Sequence, residues 1–205
     1  MFVKFTALTR FPTETRQAEI VAAALRLAQD HSPAFITTTD LARAVGLSQG
    51  ALFKHFSSKD AVWLAAITWV TEHLLQSLNE AAQRTEVPLD SLRCVFDAHV
   101  DFVVTHPGVP RVIFHELQQS ADSPLKQRVR GLMQSYRQLL LRLLKAAVQC
   151  GDAAADLDVS AAATLFVGIV QGLVMQSMLG GQISSMRAQA PAVFHLYLCG
   201  IRNPS

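Results

Sequence analysis

The sequence predicts an all-α protein in two parts: a three-helix unit containing a helix-turn-helix within residues 1–60, and a larger helical bundle over residues 61–205. Three observations carry that expectation. Apolar residues recur at three-to-four spacing along the chain, and no alternating apolar/polar run bounded by turn residues interrupts them. The breaks at His31-Ser32-Pro33, Thr105-His106-Pro107-Gly108, Asp122-Ser123-Pro124, Gly151-Asp152 and Gly180-Gly181 consist of residues that end helices. Half of the 205 residues are hydrophobic and 17% are charged, which excludes a disordered chain and calls for extensive burial between helices.

The elements follow in order. A first helix starts near Pro12 or Thr13, presents Ile20, Ala24 and Leu27 beside Val21, Leu25 and Ala28, and stops around Asp30 before Pro33. Two short helices are expected at 38–45 and 49–55, joined at Gly46-Leu47-Ser48, and then a long one over 59–84. Helices this short need packing against neighbours to persist. Beyond Pro88 the periodicity gives helices near 90–105, 109–119, 124–150, 159–179 and 185–201. Ala161 to Gly181 is a 21-residue run without a charge, long enough to span a bilayer. Gln171, Gln176 and Ser177, together with the lack of a basic flank, favour a helix buried in a soluble assembly, and no membrane partner is expected.

Residues 1–60 hold 7 Lys and Arg against 5 Asp and Glu, whereas residues 61–205 hold 11 of each. The net charge of +2 therefore lies wholly in the first part, a weak pointer to a polyanionic partner. Cys94, Cys150 and Cys199 are odd in number, far apart and without a CxxC pair, so neither a disulfide framework nor a zinc site is indicated. Inert burial is expected of Cys94 and Cys150. Met1 to Phe5 lack the apolar stretch of a secretory signal, and a cytoplasmic location is expected.

The informative stretch is Thr37 to Phe56. Thr37 and Asp40 make an [ST]-x-x-[DE] cap, Gly46 can take the left-handed conformation that ends a helix, and Ser48 caps the next one. Leu41, Val45, Leu52 and Phe56 face inward, leaving Gln49, Gly50, Ala51, Phe53, Lys54 and His55 outward. Two helices crossing through such a turn place the second in the major groove of double-stranded DNA. Gln49 is the best base reader, because its amide pairs bidentately with adenine; Ala51 suits a thymine methyl and Gly50 permits close approach. Lys54, His55 and Lys59 are placed for phosphates.

Taken together, Thr38-Thr39 to Gly46, then Ser48-x-Gly50-Ala51-Leu52-Phe53-Lys54-His55-Phe56-x-Ser58-Lys59-Asp60, resembles the DNA-binding signature of the TetR family over about residues 12–72. The resemblance implies base and phosphate contacts by Thr38, Thr39, Gln49, Gly50, Ala51, Phe53, Lys54, His55 and Lys59. The family commonly has Tyr at the position of Phe53. A phenol hydrogen-bonds a phosphate oxygen and a phenyl ring cannot. The resemblance further implies a transcriptional repressor released from its operator by a small apolar effector, and a homodimer through about 159–179 and 185–201. Gly168-x-x-x-Gly172 there permits close backbone approach, although burial of both helices inside one subunit is the alternative.

For the effector the candidate lining is Trp69, His73, His99, Phe102, Phe114, Tyr136, Phe166 and Gln171, which mix apolar bulk with polar tips. Ordinary core packing is the competing reading of each. No enzyme is expected: an adjacent acid/base pair such as His115-Glu116 is no ready dyad, because neighbours on a helix diverge by about 100 degrees. His99 lies two residues from both Asp97 and Asp101, which therefore do not face it, so no metal or other cofactor is expected.

Overall fold

The spacing of Ile20, Ala24, Leu25 and Ala28 buries one stripe of α1 (Thr13–Asp30), and every later helix forms on the same principle. A computed structural model describes residues 13–202, so Pro12 and the Met1–Phe5 opening lie outside the described residues. After α1 come α2 (Thr38–Ala44), α3 (Gln49–Leu52), α4 (Lys59–Ala82), α5 (Pro88–Thr105), α6 (Gly108–Leu117), α7 (Pro124–Gln149), α8 (Val159–Leu179) and α9 (Met186–Ile201). Among the described residues there is no strand, only an isolated bridge between Ala153 and Arg202. The all-α expectation holds.

Small differences at helix ends have local causes. α3 is shorter than the 49–55 expected because its hydrogen bonds tighten: Lys54 N–H donates to Ala51 and His55 N–H to Leu52, three residues back. α4 stops at Ala82 rather than residue 84 for the same reason, with Gln83 bonded to Glu80 and Arg84 to Ala81. α5 starts at Pro88, two residues early, since a proline without an N–H is well suited to the first turn. A 3₁₀ turn, Ile183–Ser185, leads into α9.

One hydrophobic core runs from Ile20 to Ile201. α4 is its axis, packed on α1, α5 and α7, so the first helices are joined to the bundle by apolar contact as well as by chain connection. The start of α6 meets α1 even more closely. A Cβ on Gly108 would lie 2.0 Å from the Leu25 carbonyl oxygen, a separation only glycine permits. At the other end of the bundle, Phe96, Phe166, Phe194 and Tyr197 pack ring on ring, and the Tyr197 hydroxyl donates to the Ala162 carbonyl at 3.1 Å.

Burial of the cysteines is corrected for Cys150, which is exposed at the C-cap of α7, its Sγ 2.7 Å from the Ala146 carbonyl. Cys94 is half-buried.

Candidate nucleic-acid interface and effector cavity

The reading head is assembled by its caps. The Thr37 hydroxyl accepts from Asp40 N–H at 3.1 Å while the Asp40 carboxylate accepts from Thr37 N–H at 2.9 Å, a reciprocal capping box that starts α2. Those bonds hold the Asp40 carboxyl below its ordinary range, so it stays ionised at the positive end of the helix. Val45 closes α2, Gly46 turns the chain at φ +67°, and Ser48 caps α3 through Ala51 N–H. Leu41 and Leu52 are fully buried and Phe56 nearly so, tying both helices into the common apolar core.

This geometry leaves Thr39, Gln49, Gly50, Phe53 and Lys54 exposed and Thr38, Ala51 and His55 half-buried. Gln49 Nε2 donates to Thr38 Oγ1 at 2.7 Å, so two side chains expected at DNA, one from each helix, are already oriented by each other. An amide held this way loses less rotamer freedom on contacting a base. His55 is less available than expected, with Nδ1 buried and without a partner among the described residues.

Lys59, expected at a phosphate, is engaged within the chain. Its ammonium donates to the carbonyls of Pro33, Ala34 and Ile36 at 3.0–3.2 Å, using all three N–H groups. It therefore ties the α1–α2 loop to the start of α4. Only spatial proximity, which spacing cannot supply, reveals carbonyls 23 to 26 residues away.

Within the bundle, α4, α5, α6, α7 and α8 enclose a cavity of about 300 Å³. His99, Phe102, Phe114 and Gln171 line it, as the sequence led one to expect. Tyr136 is fully buried behind that wall, its hydroxyl 3.1 Å from His99 Nδ1. Trp69, His73 and Phe166 do not line it. Trp69 stacks on His73 at 4.1 Å and faces α1 and His106, and Phe166 is buried in the aromatic packing with Phe96 and Phe194. Core packing describes Phe166, which is fully buried, whereas Trp69 is half-buried beside a separate opening and His73 is exposed.

Sequence reasoning missed most of the apolar lining: Val109, Pro110, Ile113 and Leu117 on α6, Met133 on α7, and Val167, Val170 and Val174 on α8. The α6 residues follow helical spacing, so that face is readable, but whether it meets a neighbour or a void is not. Lys126 and Arg130 also line the cavity. Lys126 donates to the Gln119 and Ala121 carbonyls and Arg130 pairs with Asp122. His99 retains accessible surface because it lines the cavity, yet burial pushes its pKa down to about 4, so the ring is neutral at neutral pH.

The outer faces of α8 and α9 form a third surface. Leu165, Leu179 and Leu196 are 53%, 76% and 71% exposed, Gly168 and Gly172 have open space where a Cβ would stand, and Ala161 to Gly181 has no charge. A third of the most apolar stretch of α8 is buried within the chain.

A helix-turn-helix with an outward recognition helix, joined through a central helix to a helical bundle, is the architecture of a DNA-binding transcriptional regulator. Residues 20–66 match the family model for bacterial regulatory proteins, tetR family, and residues 113–193 match that for the tetracyclin repressor-like C-terminal domain. The chain belongs to the TetR family. It is similar to the nucleoid occlusion factor SlmA of Vibrio cholerae serotype O1, with 27% identity over 131 residues covering 63% of this chain and 67% of that protein. Its fold resembles the fatty acid degradation regulator FadR from Bacillus halodurans, with a TM-score of 0.80 and 19% identity, covering 96% of this chain and 100% of that one. FadR from Bacillus subtilis in complex with stearoyl-CoA gives a TM-score of 0.78 and 19% identity, covering 90% and 99%.

Proposed function

We propose that this regulator is a homodimeric repressor, dimerised through α8 and α9, that leaves its operator when an apolar small molecule enters the α4–α8 cavity. The observation that carries the effector half is the double placement of α6. Its Val109, Pro110, Ile113, Phe114 and Leu117 line the cavity, while Gly108 at its start sits against the α1 backbone. A molecule that displaces α6 therefore acts on the reading head without an intermediary, and α4, which shares the core with both, swings with it.

The cavity is at the small end of ligand sites, roughly 300–1,000 Å³ in general, and is almost wholly apolar. With two cations in its lining and no carboxylate, it suits an apolar body ending in an anion. That the Bacillus subtilis FadR structure holds stearoyl-CoA makes fatty acyl thioesters the first class to try. The open face of α8 and α9 supports a second copy of this chain as its cover: small residues allow close helix approach and the large apolar side chains gain burial. Two copies then present two recognition helices to successive half-sites, with Gln49 and Thr38 at bases and Lys54 at phosphate.

Fluorescence anisotropy with labelled DNA from the region flanking the gene tests the reading. Binding should weaken as salt rises, and dodecanoate or an acyl-CoA should release the DNA. Binding that ignores salt would remove the DNA interface, and release unaltered by Phe114→Trp, which fills the cavity, would remove the effector site.

A further inference from the structure

The polar groups of the α4–α8 cavity stand at two levels along α7. Lys126 and Arg130 belong to its first two turns, and Tyr136, which backs His99, follows them further along the same helix. At about 1.5 Å per residue, the His99–Tyr136 pair is displaced roughly 9–15 Å along α7 from the two cations. The lining that α7 contributes between the levels is apolar: Leu132 and Met133. Arg130 gives one Nη to Asp122 and keeps the rest of its fork.

The position of the His99 proton follows from its partner. The Tyr136 phenol is fully buried, and burial drives its pKa up, so the hydroxyl keeps its proton. His99 Nδ1, at 3.1 Å, is the only hydrogen-bond partner of that hydroxyl among the described residues. A proton on Nδ1 would be donated to the phenol oxygen and leave a buried O–H unpaired. With Tyr136 donating to Nδ1, both groups are satisfied, and the neutral imidazole carries its N–H on Nε2.

Nε2 has no partner among the described residues, where the unpartnered side-chain atoms closed to solvent are His55 Nδ1 and Trp63 Nε1. His99 Nε2 is therefore open, and the space that His99 borders is the cavity. Phe102 and Val103, its neighbours one turn along α5, also line the cavity and offer no acceptor. Gln171, the other uncharged polar side chain of the lining, is exposed. The inner level thus holds a donor that cannot accept, in apolar surroundings. A carbonyl oxygen satisfies it. A methylene leaves it desolvated and unpaired, and a hydroxyl brings a proton with no acceptor beside it.

We propose that the effector is an oxo acid, an apolar chain with its anion at Lys126 and Arg130 and a ketone near its middle that accepts from His99 Nε2–H. Tyr136 is the residue that positions this donor. The assignment rests on the α4–α8 cavity being the effector site, and it adds the functional group by which that site selects.

Full-length protein without DNA is titrated by calorimetry with dodecanoate and its 4-oxo, 7-oxo, 10-oxo and 7-hydroxy derivatives. The 7-oxo acid should bind about tenfold more tightly than the other two oxo acids, and about fivefold more tightly than dodecanoate or the 7-hydroxy acid. His99→Leu should remove that preference, and His99→Gln, which retains an N–H donor, should keep part of it. Tyr136→Phe frees the imidazole to carry its proton on Nδ1, so the advantage of the 7-oxo over the 7-hydroxy acid should shrink to about twofold. Imidazole ¹⁵N shifts report the proton directly: His99 should be protonated on Nε2 in the wild type and mixed in Tyr136→Phe. The ligand series and the nitrogen shifts need only the wild-type chain, so they decide the matter if a variant does not fold. Dodecanoate binding with no gain for the 7-oxo acid, a preference untouched by His99→Leu, or a proton on His99 Nδ1 would each overturn the carbonyl contact and leave the effector cavity standing. If none of the acids binds at millimolar concentration, the cavity loses its effector role and the contact falls with it.

Discussion

The reading head and the sensing bundle hold their functional groups in opposite ways. In the head the working parts are exposed side chains, and their positions are set by caps, one left-handed glycine and two buried leucines, all within twenty residues of sequence. In the bundle the proposed working part is a space, bounded by residues from Leu74 to Val174 on five helices. A function carried by protruding groups tolerates changes in packing that leave the caps intact. A function carried by a void is sensitive to every neighbour that could fill it.

The sharpest way to break that contrast is to strip the head and see whether the bundle notices. Gln49→Ala with Lys54→Ala should lower operator affinity about a thousandfold, since a bidentate base contact alone is worth about 1–3 kcal/mol and the dimer makes it twice. Both side chains are exposed, so the urea midpoint and effector affinity should stay at wild-type values. The salt dependence should also flatten, by about one unit of slope for each lysine removed at a phosphate. Lys59→Met should leave that slope unchanged while lowering stability, because its ammonium serves backbone carbonyls. A flatter slope in Lys59→Met would restore it to the DNA.

The joint between the two regions comes next. Gly108→Ala places a methyl 2.0 Å from the Leu25 carbonyl oxygen, where neither backbone can yield without moving a helix. Overpacking costs about 1–3 kcal/mol, and the upper end is expected here. A lower urea midpoint with an unchanged m-value would show it. An unaltered midpoint would mean that α6 is not seated on α1.

These two cases also show what sequence reasoning reaches. Thr37, Asp40, Gly46 and Ser48 were readable because each acts on backbone groups a few residues away, and hydrogen-bond chemistry at fixed spacing is local. The helices were readable for the same reason, with differences confined to their ends, where a bond shortens from four residues to three or, at Pro88, a proline opens the first turn. The carbonyl partners of Lys59 were not readable because they lie across a loop, nor was the position of Trp69, His73 and Phe166 away from the α4–α8 cavity, because an aromatic side chain carries no mark of what it faces. Gly108 stood in an obvious helix break, yet its close approach to α1 is a property of the packed pair.

A smaller effect belongs to the bundle alone. His99 has its pKa lowered by burial from 6.5 to about 4, so the unfolded chain takes up a proton that the folded protein refuses. The stability contributed by the neutral ring is complete above pH 6.5 and is lost as pH falls towards 4, about 2 kcal/mol across the window. His99→Gln should flatten the difference between urea midpoints measured at pH 7 and pH 4.5. DNA binding at pH 7 should not respond, which separates it from the changes in the head.

The smallest effect returns to the head and to its one departure from the family pattern. Phe53 is 46% exposed beside Lys54 and has nothing to donate. Phe53→Tyr adds a hydroxyl at the ring edge and no charge. If α3 lies in the groove as proposed, the new O–H donates to a phosphate oxygen and tightens binding three- to tenfold, the equivalent of about 1 kcal/mol. Because no cation is added, the slope of affinity against salt should stay the same while the whole line rises. Such a parallel rise places Phe53 at the backbone. A change in sequence preference with no general gain would place it at a base edge, and the recognition helix would have to enter the groove more deeply than the Gln49–Thr38 pairing implies.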